Sequence, residues 1–403
     1  MSHQSRPKPA ASSRQDNIDI LDLYRPDISR LLADLGSPAF RRAQVLEHLL
    51  QRPGQTFAEA TNLPLDVRTS LDAMGASTLT VATTTSSEDG ATKLLLRAPD
   101  GAAIETVVMR YRDRVTACIS SHVGCAVGCA FCATGTLGLT RNLSAAEIVD
   151  QVRAASALLA GEGRRLSNLV YMGMGEPLLN LQAVLNSIRI ITDSRGMNMA
   201  HRSLSISTVG VPAGIRRLAR EEPQVNLAIS LHAADDRTRA RLIPATFRQP
   251  IATILEAAWD HFEITRRKLL IEYVLIGGVN DSMEDARHLA TLLRGHVVTV
   301  NLLAWNPVPA LAERPVGAAH ERPGRRTAGR DSGRAAASQQ PGRSQACDLA
   351  GFAPPTPQAI AAFRGTLLAL KIEAVVRQSK GTAIQAACGQ LAAQSRNLKG
   401  GGR

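Results

Sequence analysis

Between about residues 115 and 304 the chain repeats one pattern six times, a short apolar run followed by an amphipathic stretch. The apolar runs are TACISS, SNLVYMGM, SLSISTV, VNLAISL, LLIEYVLI and VVTVNLLA. The stretches between them include AAEIVDQVRAASALLA, LQAVLNSIRIITDS, PAGIRRLARE, TILEAAWDHFE and MEDARHLATLLR. Short apolar runs separated by helical periods read as strands covered on both faces, the habit of a parallel sheet. Parallel neighbours need crossover helices, and those crossovers are right-handed. Six strands fall short of the eight in a closed barrel, so the expected fold is α/β, an open partial (βα)6 barrel. In such a fold the working residues sit at the C-terminal ends of the strands.

The flanks read differently. Residues 1–17 are a polar tail, and residues 18–110 a small helical unit followed by a β connector. In the helical unit DLYRPDISRLLADLG places Leu23, Ile28, Leu31, Leu32 and Leu35 on one stripe that stops at Gly36. Ser37 and Pro38 open a second helix that stops at Gly54, and PLDVRTSLDAMG is a third. The connector carries two turn signals, EDG and PDG. The barrel occupies residues 111–309. Residues 310–350 are dominated by Ala, Arg, Gly and Pro and keep no apolar period, so they read as a surface insertion. Seven Arg there face four acidic residues, which suits a tolerated linker better than a basic RNA-contacting arm. Residues 351–395 form a C-terminal segment with a helix and a strand, and 396–403 are a second tail.

Composition narrows the class. Lys plus Arg is 47 against 35 for Asp plus Glu, a net charge of +12 that favours an anionic partner such as nucleic acid. Aromatic residues are only 3%, which argues against a broad base-stacking platform. No apolar run reaches the roughly 18 residues of a membrane span. The start, MSHQSRPKPAASSRQDN, lacks the apolar core of a secretory signal. Six cysteines are too few for a disulfide framework, and four of them, Cys118, Cys125, Cys129 and Cys132, fall within 15 residues. That clustering points to metal or redox chemistry in a reducing cytoplasm.

Cys125, Cys129 and Cys132 are spaced C-x3-C-x2-C, with Phe131 before the third. Three thiolates on one short loop can grip a soft metal centre. Zinc would need a fourth ligand, for which Cys118 and His122 are available. A cubane iron–sulfur cluster held by three cysteines leaves one iron open to a small molecule. The strand ends offer polar residues in the right places. YMGMGEP supplies Gly173, Gly175 and Glu176, glycines for close backbone approach and a carboxylate for an ammonium group. SISTVG supplies Ser207, NLAISLHA supplies Ser230, Leu231 and His232, and LLAWNPVP supplies Asn306. Each alone would pass for a satisfied core group or turn former, but four strand ends in succession carry one.

C-x3-C-x2-C with an aromatic before the last cysteine resembles the signature of the radical S-adenosylmethionine (SAM) superfamily. The resemblance implies a 4Fe-4S cluster on Cys125, Cys129 and Cys132, with the open iron binding the amino and carboxylate groups of SAM. GMGEP resembles the motif that binds the SAM amino group, so Gly175 and Glu176, with Ser207, Ser230, Leu231, His232 and Asn306, are the implied SAM contacts. The match narrows further. CISSHVGCAVGCAFCATG, LTRNLSAAEIVDQV, GMGEPLLN, SISTVGVPAGI, AISLHAADDRTRARLIP, EYVLIGGVND, NLLAWNPVP and AACGQLA are similar, in order, to the RlmN/Cfr family of radical SAM methyltransferases acting on an adenosine of 23S ribosomal RNA. The similarity runs from about Ile18 to about Gln394, interrupted by 310–350, and includes the family's small N-terminal RNA-binding domain.

The resemblance implies a mechanism for two cysteines outside the triplet. A first SAM methylates Cys388, and a second is cleaved to a radical that takes a hydrogen from the S-methyl group. The methylene radical adds to the adenine carbon, linking enzyme and RNA. A base, at the position of Glu105, removes the ring proton; the apolar neighbours Ile104, Val107 and Val108 suit such a carboxylate. Cys118 then attacks sulfur, releases the RNA and forms a disulfide with Cys388. Without the family, both cysteines would read as small buried residues, and Glu105 as a solvated edge-strand residue. Cys347, inside the insertion, matches nothing in the family pattern. The family implies a monomer reduced by a flavodoxin or ferredoxin, an rRNA substrate and tRNA as a second one. Two members of the family differ in outcome, methylation at adenine C2 or at C8. The C2 reaction is the main expectation, and a zinc-stabilised RNA-binding protein is the alternative from another class.

Overall fold

A computed structural model describes residues 19–244, 249–308 and 352–391 of the protein. The expected tails at 1–17 and 396–403, and the 310–350 insertion with Cys347, lie outside the described residues.

The described residues begin with the helices α1 (Ile20–Tyr24), α2 (Pro26–Asp34), α3 (Ala39–Gln51) and α4 (Leu65–Met74). The one helix expected through DLYRPDISRLLADLG is thus broken in two. Pro26 bars the residue before it from the helical region, and Arg25 sits at φ −133° and ψ 72°. Proline then fills the first turn of α2, where its missing N–H is no loss. Gly36 ends α2 in the left-handed region at φ 60°, as expected. Ser37 does not cap α3. Its N–H donates to Leu32 O, and Pro38 holds the cap position without a side-chain bond.

Strands β1 (Thr80–Ser86), β2 (Ala91–Arg97), β3 (Ala103–Arg110) and β4 (Val115–Cys118) follow. Next come β5 (His122–Gly124), α5 (Ala133–Thr136), β6 (Leu139–Asn142), α6 (Ala145–Ala160), β7 (Asn168–Tyr171), α7 (Leu181–Thr192), β8 (Leu204–Thr208), α8 (Pro212–Glu221) and β9 (Asn226–Ser230). Helices α9 (Asp236–Leu242) and α10 (Ile251–Thr265) lead to β10 (Leu269–Leu275), α11 (Met283–Leu293) and β11 (Val298–Ala304). Helix α12 (Pro357–Ala369) and β12 (Glu373–Arg377) complete the order.

Ten strands make one sheet in the order β1-β2-β3-β4-β7-β8-β9-β10-β11-β12. The six strands read from sequence are β4 and β7 to β11, side by side in chain order and parallel throughout. Two additions extend them. β12 adds a seventh parallel strand beyond β11. On the other side β1, β2 and β3 pair antiparallel and join through β4, so the connector is part of the barrel sheet. β5 and β6 form a separate two-stranded ribbon that frames the cysteine loop. After β12 the chain crosses back to the opposite side of the sheet. Gly381 N–H donates to Asp89 Oδ2 at 2.6 Å, and Lys93 Nζ donates to Gln385 O at 3.2 Å. Ala133 N–H then meets Gly389 O at 2.6 Å, on the cysteine loop. No helix among the described residues is long and apolar enough to cross a membrane.

The helical unit is fastened to α6 through a buried polar cluster. Tyr24 Oη donates to Asp150 Oδ1 at 2.5 Å, and the Thr78 N–H and hydroxyl donate to Asp150 Oδ2 at 2.5 and 2.6 Å. Arg153 pairs with Asp150 at 3.2 Å and donates to Leu49 O at 2.6 Å and to Ala76 O. Removing one member strands the others away from water, and a broken buried ion pair costs about 3–5 kcal/mol. Asp150→Ala is therefore expected to lower unfolding free energy by about that amount, read by urea titration.

Candidate active site

The cysteine loop hangs between β5 and β6 and is shaped by tight backbone approaches. Cys125 N–H donates to Gly138 O at 2.9 Å, and Ala130 N–H to Leu242 O at 2.9 Å. Gly135 has to be glycine, because a Cβ there would lie 2.9 Å from both Cys129 N and Cys129 O. Trp305, just past β11, donates from Nε1 to Phe131 O at 3.1 Å. Phe131 meets His232 edge-on, with ring centroids 4.8 Å apart. The loop is thus tied to the C-terminal ends of β9 and β11.

Cys125, Cys129 and Cys132 line one open cavity. Burial and the neighbouring thiols push the Cys125 pKa up to about 11 and raise that of Cys129. Three thiols on one loop form a donor set for a soft metal, whose charge would displace their protons. Among the described residues no three His, Cys, Asp or Glu side chains converge as ligands of a single ion. A cubane needs three thiolates and leaves one iron open, whereas structural zinc wants four ligands, so three cysteines on one loop suit a cluster better than tetrahedral zinc.

The same cavity is lined by Gly173, Gly175, Glu176, Ser207, Ser230 and His232. The loop after β7 lies over β5 because Gly175 adopts φ 104°, and a Cβ there would fall 2.3 Å from His122 Nδ1. Glu176 Oε2 accepts from Val209 N–H at 2.8 Å and Oε1 from Leu178 N–H at 3.0 Å. Burial nevertheless pushes its carboxyl up to about 7, against those bonds. Ser207 and Ser230 share a hydroxyl–hydroxyl bond of 2.8 Å across β8 and β9. His232 sits at φ 60°, a strained conformation for a non-glycine residue, with Nδ1 accepting from Val274 N–H at 3.1 Å. Burial and Arg239 hold its pKa down to about 3, so the ring is neutral.

If Glu176 receives the SAM ammonium, ionisation of its carboxyl is a condition of tight binding. A carboxyl titrating near 7 loses charge as pH falls, so SAM affinity is expected to drop about tenfold from pH 8 to pH 6. Calorimetric titration of cluster-loaded protein checks this, with Glu176→Gln giving a weak and flat profile.

Cys388 also lines the cavity. The residue is partly exposed, and burial of its thiol, with Glu272 and Cys132, pushes its pKa up to about 11. Cys118 ends β4, buried between Val107 of β3 and Val170 of β7. Burial, and next the charge of Cys388, raise its pKa. Both are free thiols. Glu105 is buried on β3, an interior strand, which removes the solvated-edge alternative. Its Oε1 lies 3.1 Å from Lys93 Nζ. The register pairs Lys93 with Val107 and Val107 with Cys118, so Lys93, Glu105 and Cys118 share one face of the sheet. Neither Glu105 nor Cys118 is in the cavity lining itself.

Two of the expected contacts stand outside the cavity lining. Leu231 is fully buried and donates its N–H to Glu272 O at 3.1 Å. Asn306 donates from Nδ2 to Ser379 Oγ at 3.3 Å and stands outside the lining, where Leu303, Ala304 and Trp305 appear instead. Three residues were not foreseen as site residues. Arg239 is fully buried and donates to Leu231 O at 3.2 Å, Gln249 O at 3.0 Å and Val209 O at 2.5 Å, fixing the ends of β8 and β9. Lys93 anchors the segment that carries Cys388. Glu272 is a buried carboxylate in the lining. A single charge inside an apolar run, as in LLIEYVLI and ATKLLLR, was the available signal for the last two.

Comparison with known proteins agrees with this geometry. Residues 119–290 match the model of the radical SAM superfamily. The dual-specificity RNA methyltransferase RlmN of Anaeromyxobacter dehalogenans is 40% identical over 385 residues, covering 94% of this chain and 93% of that protein. The probable RlmN of Moorella thermoacetica is 40% identical over 94% of this chain and 99% of its own length. A crystal structure of a radical SAM methyltransferase from Sphaerobacter thermophilus superposes with a TM-score of 0.78 at 39% identity, covering 92% of this chain and 98% of that one. Radical SAM enzymes use a 4Fe-4S cluster and SAM, and the cysteine triplet and the cavity beside it fit both. With cysteine loop, cavity and full-length similarity in agreement, the chain belongs to the RlmN family of radical SAM RNA methyltransferases.

Proposed function

We propose that the protein methylates C2 of an adenosine in 23S rRNA, and an adenosine in tRNA, through a methyl-cysteine on Cys388, consuming two SAM per turnover. The observation that supports the reading is that Cys388 lines the same cavity as Cys125, Cys129, Cys132 and Glu176. Adenine C2 is electron-poor and cannot attack SAM as a nucleophile, so a protein nucleophile must take the methyl group first. When bound, the cluster and SAM supply the methyl group and the one-electron hydrogen abstraction that activates it.

The chain's own residues do the rest. Cys388 gives up its thiol proton and accepts the methyl group on sulfur. Once the methylene carbon is bonded to the base, the adduct gives up one electron, which the cluster would take when bound, and Glu105 takes the ring proton, with Lys93 balancing its charge. Cys118 then bonds to the Cys388 sulfur, the carbon–sulfur bond breaks, and the freed carbon takes a proton to become the product methyl. The resulting Cys118–Cys388 disulfide is reduced by an external thiol or electron donor before the next turnover. The dual specificity in the relatives' names supports more than one RNA substrate.

The test uses anaerobic, cluster-loaded protein with SAM, a reductant and an rRNA fragment of the peptidyl-transferase centre. Digestion and chromatography against C2- and C8-methyladenosine standards are expected to show the C2 product. A C8 product contradicts the assigned position, and an iron-loaded protein that methylates no adenosine contradicts the RNA reading.

A further inference from the structure

The cavity holds a second buried carboxylate that none of these steps employs. Strand register sets Glu272 of β10 between Ser230 of β9 and Asn301 of β11, one polar row across three parallel strands. Its Oε1 accepts from Asn301 Nδ2 at 2.7 Å, and Asn301 Oδ1 in turn accepts from Arg377 Nε of β12 at 2.8 Å. The carboxyl is therefore held in orientation from behind. Glu176 has both oxygens committed to backbone amides, whereas Glu272 Oε2 has no hydrogen-bond partner among the described residues. Glu272 and Cys388 line the same cavity. An acceptor with no donor of its own is thereby available to a ligand in the cavity that Cys388 also lines.

We propose that Glu272 reads the target base, accepting a hydrogen bond from the exocyclic amino group of the adenine brought against Cys388. The inference rests on the proposed RNA adenosine reaction. A carboxyl oxygen suits an amino edge and repels the carbonyl oxygen that guanine carries at the same position. Enzymes that act on single bases read the exposed edge in this way. A site built to hydrogen-bond a substrate N–H rejects the analogue that lacks it, because its own acceptor is then stranded. Glu272 is a positioning and specificity residue here.

The experiment compares RNA carrying adenosine with RNA carrying purine riboside, which lacks the amino group, at the target position. Wild-type enzyme is expected to prefer adenosine by about a hundredfold or more in kcat/KM. Glu272→Met is expected to lower kcat/KM for adenosine RNA by about that factor and to narrow the preference to a few-fold. Glu272→Gln, which keeps an acceptor oxygen, is expected to retain part of both. The loss is expected to fall on the RNA step, so the Cys388 peptide still gains its methyl group from SAM without RNA. If Glu272→Met discriminates as sharply as wild type, the inference fails while the proposed function stands. If the variant instead loses SAM affinity and Cys388 methylation, Glu272 serves SAM and the inference is overturned. A wild-type enzyme that methylates no RNA adenosine removes both readings together.

Discussion

Replacing Cys118 with alanine is expected to leave RNA covalently attached to the protein through Cys388. In the proposed sequence the methylene bridge forms before Cys118 acts, so loss of Cys118 blocks release and nothing earlier. Free methylated RNA is expected to fall by about a thousandfold or more, the scale on which loss of a covalent catalytic group is felt. The complementary variant, Cys388→Ala, is expected to lose as much product and to accumulate no adduct, because no sulfur is left to accept the methyl group. Denaturing gel electrophoresis with labelled RNA separates the two. Cys118 is buried on β4, packed between β3 and β7, and alanine preserves most of its packing. An adduct in Cys388→Ala, or free product in Cys118→Ala, would reverse or remove the assigned roles.

Replacing any one of Cys125, Cys129 or Cys132 with alanine is expected to abolish both Cys388 methylation and RNA methylation. The three thiols share one short loop, pinned by Ala130, Phe131 and Ala133 to Leu242, Trp305 and Gly389. That scaffold stays when one sulfur is removed, but a three-point grip on the cluster becomes a two-point one. Iron and sulfide content after reconstitution are expected to fall to a small fraction of wild type, while the unfolding transition of the metal-free protein moves little. A variant that keeps its iron and its activity would show that the removed thiol is no ligand.

Much of this architecture was legible in the sequence, for a physical reason. Strands β7 to β11 are short apolar runs bounded by polar turns, and such runs have few places to go except the middle of a covered sheet. The cysteine triplet was legible because its three thiols lie on one loop, where spacing and space coincide. What was missed depends on contacts distant in sequence. Joining β1 to β3 with the parallel strands into one sheet turns on the pairing of β4 with β7, across the cysteine loop and α6. Asn306 stands at a strand end as its motif suggested, but its amide is drawn to Ser379, a partner no local pattern announces. Arg239 sits in a polar helix, DRTRARL, whose appearance is that of a solvated face, yet it is fully buried on three carbonyls. Glu272 and Lys93 were visible as lone charges in apolar strands, and only the fold shows what each faces.

The central claim is that the methyl group reaches RNA by way of Cys388. Its most direct test is a pulse and chase. Cluster-loaded enzyme is first exposed to isotopically labelled SAM under reducing conditions without RNA, and mass spectrometry locates the label in the Cys388 peptide. RNA is then added with unlabelled SAM for a single turnover. The account predicts that the label leaves Cys388 and appears in the methyladenosine of the first product. Label that stays on the protein while the RNA gains an unlabelled methyl group would contradict it.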